Sequence, residues 1–327
     1  MAYKWNFIII GTFLFLFSML QQGVCFEDKS EALERAENSS TPLKDTSNTV
    51  SSKRGPEGLE QDVSKVVDMS PSKRLKQKIK VTLKGARDLD GFIENFDHSF
   101  NKISLTLENI GNSELLRLLA FLKDKQLILE GLKFEPPVSQ GMDFSFIDEK
   151  GAIDFARFVT ENKSFFSSFK IFEMSGHSIH YKGLAALCRA FSSLGSLRTF
   201  CVDDIGEDES EAVRNTPFEE GLKTLLRGCK NLRKLSLINA LSFDSIYHIA
   251  EHFSKPPLTW LDLSANFFDG ENAKILLRFL KGKKDLRLVL RENNILPDEI
   301  TELTKENWGF EIDFEDQDIK NPELDFS

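Results

Sequence analysis

Cysteine is scarce in this chain. Its 327 residues hold four, Cys25, Cys188, Cys201 and Cys229. No Cys-x-x-Cys pair occurs, so a zinc knuckle is excluded, and the odd number left after residue 25 is not a disulfide framework. A single disulfide among Cys188, Cys201 and Cys229 stays open. The chain also lacks a glycine-rich phosphate loop and a Gly-x-Ser-x-Gly elbow, which removes the two commonest sequence signs of nucleotide binding and of serine hydrolysis. After residue 25 no apolar run is long enough for a membrane-spanning helix. Excess positive charge is missing as well. Lys and Arg number 42 against 51 Asp and Glu, a net charge of -9 with an isoelectric point near 5.3. Nucleic acid is therefore an unfavoured partner, because its affinity comes mainly from neutralised phosphates. A basic protein partner is favoured instead.

What the chain does contain is repetition. Leu258-x-x-Leu261-x-Leu263-x-x-Asn266-x-Phe268 is followed by Asn272, Leu276 and Leu280 at four-residue steps. Phe169-x-x-Phe172-x-Met174-x-x-His177-x-Ile179, then Gly183, Leu187 and Phe191, has the same offsets. A third copy, with Asn239 one residue early, starts at Leu232, and a fourth runs from Leu288 through Asn293 to Leu303. Each copy changes from a two-residue to a four-residue period, which predicts one strand followed by one helix. Ile79-x-Val81-x-Leu83, the run from Ile103 to Leu107, Leu127-x-Leu129, Leu197-x-x-Phe200-x-Val202 and Phe310-x-Ile312-x-Phe314 extend the series to about nine strands. Two helices are expected to be delayed by loops, over residues 135–149 and 203–220. His177, Asn239, Asn266 and Asn293 are expected to bond the backbone of the turns they occupy.

These spacings resemble the leucine-rich repeat family, and the long helical half is similar to the ribonuclease-inhibitor-like subclass. The resemblance implies an α/β solenoid of curved strand-helix repeats whose parallel strands line a concave, protein-binding face. It is strong over residues 169–303 and weaker over residues 79–158. Phenylalanine often replaces leucine, and His177 stands where the family has asparagine.

The ends differ in kind. Residues 1–25 start with Lys4, continue with an apolar core over residues 7–20 and end in small residues, the pattern of a secretory signal peptide. A lipidated Cys25 and an uncleaved anchor are the alternatives. Residues 26–76 are polar and read as a disordered linker. The repeat domain is expected over residues 77–318, with an acidic tail over 319–327. Export to a secreted or extracytoplasmic location follows from the signal.

The expected function is non-enzymatic binding of another protein, without cofactor or metal. Counting outward along each strand places Glu173, Ser175, Asp203, Ser236, Ile238, Asp262, Ser264, Val289, Arg291, Glu311 and Asp313 on the binding face. Trp260 stands at its edge, either as an exposed anchor or as packing. Asp203, Asp262 and Asp313 are expected to form a row of outward charges. Two chemical readings compete. His248-Ile249-Ala250-Glu251-His252 matches the His-x-x-Glu-His pattern of inverted zinc proteases. Both histidines are expected partly exposed beside the buried Ile249 and Phe253, and no third ligand is evident. Arg291 is the candidate for a donated arginine in a GTPase activator. A tethered structural role in the cell envelope is a further alternative.

Overall fold

The computed structural model describes residues 77–97, 99–136, 146–206, 216–242 and 244–317. The expected signal peptide, linker and acidic tail lie outside the described residues. Nine strands form one parallel sheet in chain order: β1 Gln77–Lys84, β2 Phe100–Glu108, β3 Ile128–Phe134, β4 Ile171–Ser175, β5 Thr199–Asp203, β6 Lys234–Ile238, β7 Trp260–Asp262, β8 Arg287–Val289 and β9 Glu311–Asp313. A helix follows each of the first eight: α1 Ala86–Glu94, α2 Asn112–Asp124, α3 Glu149–Glu161, α4 His180–Phe191, α5 Thr216–Gly228, α6 Ser245–Phe253, α7 Gly270–Leu280 and α8 Pro297–Lys305. Successive helices touch in the same order, making a second layer. Neighbouring parallel strands cannot be joined by a tight hairpin, and the helices supply the crossovers between them. No helix among the described residues is long and apolar enough to cross a membrane.

The two periods explain the core. Phe172, Met174, Phe200, Val202, Leu235, Leu237 and Leu261 alternate along their strands and are buried towards the helices. Leu184, Leu187, Cys188 and Phe191 meet them from α4. The phenylalanines that replace leucine are concentrated here. Phe172 lies 4.7 Å from Phe191 and 5.5 Å from Phe200, and Phe169 stacks on Phe191 at 5.7 Å. Aromatic pairs at such distances add roughly 0.5–1.5 kcal/mol each beyond burial.

Where helices approach closely, the sequence supplies glycine. A Cβ on Gly221 of α5 would lie 2.8 Å from the Ala185 carbonyl oxygen of α4. Helix starts are also encoded. The Asp269 carboxylate accepts from the Asn272 amide at 2.9 Å, and the Asn272 side chain accepts from the Asp269 amide at 3.3 Å. Asp148 caps α3 through the Gly151 amide at 2.7 Å. Such boxes satisfy amides that a helix leaves unpaired.

Polar side chains stitch the turns after the strands. Asn266 Oδ1 accepts from the Ala240 and Leu241 amides at 3.0 and 2.7 Å, and its Nδ2 donates to the Leu237 and Ser264 carbonyls. Asn293 does the same one strand later, accepting from Asn266 and Phe268 and donating to Leu263 and Arg291. Gln317, not anticipated from the repeat pattern, continues the series by accepting from Ile295 and donating to Leu290 and Phe314. His177 takes part through Nδ1, which accepts from the Ile147 amide at 3.0 Å. Asn239 does not belong to this series. It is exposed, with φ of 49°, and Nδ2 reaches Asp204 at 3.3 Å. The ladder position of that repeat is Ala240, whose amide Asn266 serves.

Three boundaries differ from expectation. Helix α1 is present although only its strand was anticipated; Leu89 and Phe92, three residues apart, are the signal for it. Helix α5 begins at Thr216, inside the stretch expected to be loop. His252 is buried instead of flanking the core, with Nδ1 unpartnered, whereas His248 is exposed.

Candidate interaction face

The sheet face turned away from the helices is the candidate site. Register pairs every second residue across it. One row runs Lys133, Glu173, Cys201, Ser236, Asp262, Val289 and Asp313. A neighbouring row runs Ile171, Thr199, Lys234, Trp260, Arg287 and Glu311. Ser175, Asp203 and Ile238 form the start of a third. The alternation read from the sequence thus brings Glu173, Ser175, Asp203, Ser236, Ile238 and Asp262 together. A hollow of about 300 Å³ lies among them, bounded by Lys133, Glu173, Cys201, Asp203, Lys234 and Trp260.

The acids are not alike. Asp203 accepts from Ser236 Oγ at 3.0 Å. Burial pushes its carboxyl above the usual range, the serine bond opposes this, and the charge of Asp262 adds to it. Asp262 is held by Ser264, whose amide and hydroxyl donate to Oδ1 at 3.1 and 2.7 Å. Ser264 is buried, as is Ser236, so neither offers much surface to a partner. Val289, between Asp262 and Asp313 in its row, is buried too.

At the far end the expected row of three outward aspartates is broken. Asp313 is only 9 % exposed and receives Arg291 and Arg287 on Oδ2. The Arg291 bond leads in holding its carboxyl below the usual range, against a desolvation cost. Arg291 also meets Glu315 at 2.7 Å. It is therefore a member of an ion network around the last strand. Glu311 remains exposed and pairs with Arg287 at 3.2 Å.

Trp260 lies partly buried between cations. Lys234 Nζ is 5.9 Å and Arg287 Cζ 5.0 Å from its ring centroid. Both are its register partners on the adjoining strands, so the sheet itself makes this sandwich. The indole Nε1 is buried without an acceptor among the described residues. Lys133, Lys234 and Arg287 were not singled out from sequence. The same alternation, carried one step back along β6 and β8, reaches Lys234 and Arg287, and register with Glu173 reaches Lys133.

The cysteines are chemically quiet. Cys188, Cys201 and Cys229 are all free and buried. Burial pushes the Cys201 and Cys229 thiols up to about 12 and that of Cys188 further. Cys201 does face the hollow. His248 and His252 stand one helical turn apart on α6, away from this face. Among the described residues no three His, Cys, Asp or Glu side chains are grouped as a metal site. Compared with known proteins, the chain matches no family model and none of the curated proteins.

Proposed function

We propose that this chain is a leucine-rich repeat solenoid of the ribonuclease-inhibitor-like type, exported, and that it binds another protein through the helix-free sheet face. The observation that carries the reading is the hollow bounded by Glu173, Asp203, Lys234 and Trp260. Mixed charge beside a partly exposed aromatic is the chemistry that anchors protein interfaces. The stacked Asn266, Asn293 and Gln317 bonds support the repeat assignment, because each serves both its own turn and the neighbouring one. The side chains of the face act by complementarity, and basic groups of a partner meet Glu173, Asp203 and Asp262.

The test places a photo-crosslinking amino acid at Glu173 and, in a second protein, at Lys274 on the helical layer. A partner captured in the native extracellular medium through position 173 alone supports the reading. Binding of the purified partner should then fall in Asp203→Lys with Asp262→Lys, and wild-type binding should weaken with salt, as expected for steering by exposed charge. Capture through position 274 alone, or unchanged affinity in the double variant, counts against it.

A further inference from the structure

A second charged surface lies along the edge of the sheet where the strands begin. Lys170, Arg198 and Arg233 each sit one residue before or at the turn into their strand. Their backbones form a continuous chain: Lys170 donates to Glu130, Arg198 to Lys170, Arg233 to Arg198 and Thr259 to Arg233, each at 2.8 Å. The three basic side chains are therefore neighbours on successive strands. Lys78 on β1 and Lys102 on β2 lie one above the other outside this row and reach it through Glu130. Glu130 is buried and accepts Lys78 at 2.7 Å, Lys102 at 3.4 Å and Lys170 at 3.3 Å. One carboxylate thus answers three ammonium groups. Arg198 and Arg233 are exposed and meet no carboxylate among the described residues. Arg233 donates instead to the Pro257 carbonyl at 3.3 Å. The stripe thus carries more positive charge than its one carboxylate offsets, on a chain whose net charge is -9.

Helix dipoles do not account for it. Lysines in the last helical turns, such as Lys123 in α2, offset the negative helix ends. Lys170, Arg198 and Arg233 lie beyond those turns, at the strand starts.

We propose that this stripe docks an acidic α-helix of a partner protein, laid across the strands with one carboxylate per turn. Neighbouring strands are spaced by about 4.8 Å. A helix with Glu or Asp at three- and four-residue intervals presents a carboxylate every ~5 Å along its axis. The two spacings match, so each turn meets one cation. A nucleic acid strand is less well served. Single strands bind through aromatic stacking platforms, and both faces of the one nearby tryptophan, Trp260, point towards Lys234 and Arg287. A membrane presents a plane of charge, whereas the stripe is a line. This surface is separate from the hollow on the sheet face and does not depend on that reading.

The experiment uses the full chain and a hydrocarbon-stapled helical peptide carrying glutamates in one stripe. A peptide of equal composition with scattered glutamates is the control. Fluorescence anisotropy at low salt should show the striped peptide binding about tenfold more tightly than the control. Arg198→Glu with Arg233→Glu should weaken it by about tenfold or more, a size consistent with losing two exposed ion pairs and adding repulsion. Asp203→Lys with Asp262→Lys should leave peptide binding undiminished, which separates this surface from the sheet-face hollow. Circular dichroism melting controls for folding, and Arg198→Gln with Arg233→Gln gives the same readout if the reversal unfolds the protein. Equal binding of both peptides, or no loss in both variants, overturns the proposal. So does tighter binding of a heparin fragment, a single-stranded oligonucleotide or phosphatidylserine vesicles than of the striped peptide.

Discussion

Arg291 places two donors on one oxygen of Asp313, Nε at 2.9 Å and Nη2 at 2.8 Å from Oδ2. Asp313 is nearly buried, and Arg287 approaches the same atom at 3.3 Å. The last strand is thus clamped to β8 and the turn after it by charge as well as by backbone. Asp313→Ala should lower the denaturant midpoint, since two guanidinium groups lose their shared acceptor. Arg291→Ala should do less, because Arg287 still serves the carboxylate. A double-mutant cycle should show coupling between positions 291 and 313. Strictly additive losses would mean that the pair is a screened surface contact.

Asn266 and Asn239 looked alike in the repeat pattern, and they should now behave differently. Asn266→Ala strips two buried amides and two buried carbonyls of their partner. Unsatisfied buried groups cost about 1–3 kcal/mol each before relaxation, so a net loss of about 2–4 kcal/mol is expected. Asn239 is exposed, and removing its side-chain amide should stay within about 0.5 kcal/mol of its φ-related cost. Chemical denaturation of both variants decides this. Equal losses would place Asn239 back in the ladder.

Gly221→Ala tests the contact between α4 and α5. In an exposed helix that change stabilises by up to about 1 kcal/mol. Here the added methyl would stand 2.8 Å from the Ala185 carbonyl oxygen, a backbone atom that moves only with its helix. Overpacking typically costs about 1–3 kcal/mol, so the variant should melt lower than wild type. A higher melting temperature would show that the helices separate freely.

Acid should destabilise the fold in two steps. His177 is held down to about 4 by burial. The unfolded imidazole binds protons more readily, so stability present above the ordinary value of 6.5 is lost as pH falls towards 4. Glu130 is held down to about 2, led by the Lys78 hydrogen bond against desolvation. Its contribution, full above the ordinary value of 4.5, disappears as pH falls towards 2. His177→Gln should flatten the upper step and Glu130→Gln the lower one in urea titrations across pH. An unchanged pH profile in either variant would remove that residue from the account.

Strand-helix order, α1 excepted, the inward residues and most of the candidate face were legible in local spacing. Period-two and period-four spacing are local properties, and burial of Leu235, Leu237 and Leu261 leaves Ser236 and Asp262 no other side to occupy. Asn266 and Asn293 were legible for the same reason, since their offset from the strand is fixed. The rest was set by packing, which brings together groups from distant parts of the chain. Nothing local tells that Asp313 meets Arg291 and Arg287 while Asp203 meets Ser236. The burial of His252 depends on packing around α6, and its one-turn spacing from His248 carries no sign of it. The stripe of Lys170, Arg198 and Arg233 stands between these cases: each residue directly follows the first apolar residue of its motif, Phe169, Leu197 or Leu232, so its repeat position was legible. What the pattern did not show is Glu130 receiving Lys78, Lys102 and Lys170, because packing between distant segments, and not spacing within one, brings those groups together.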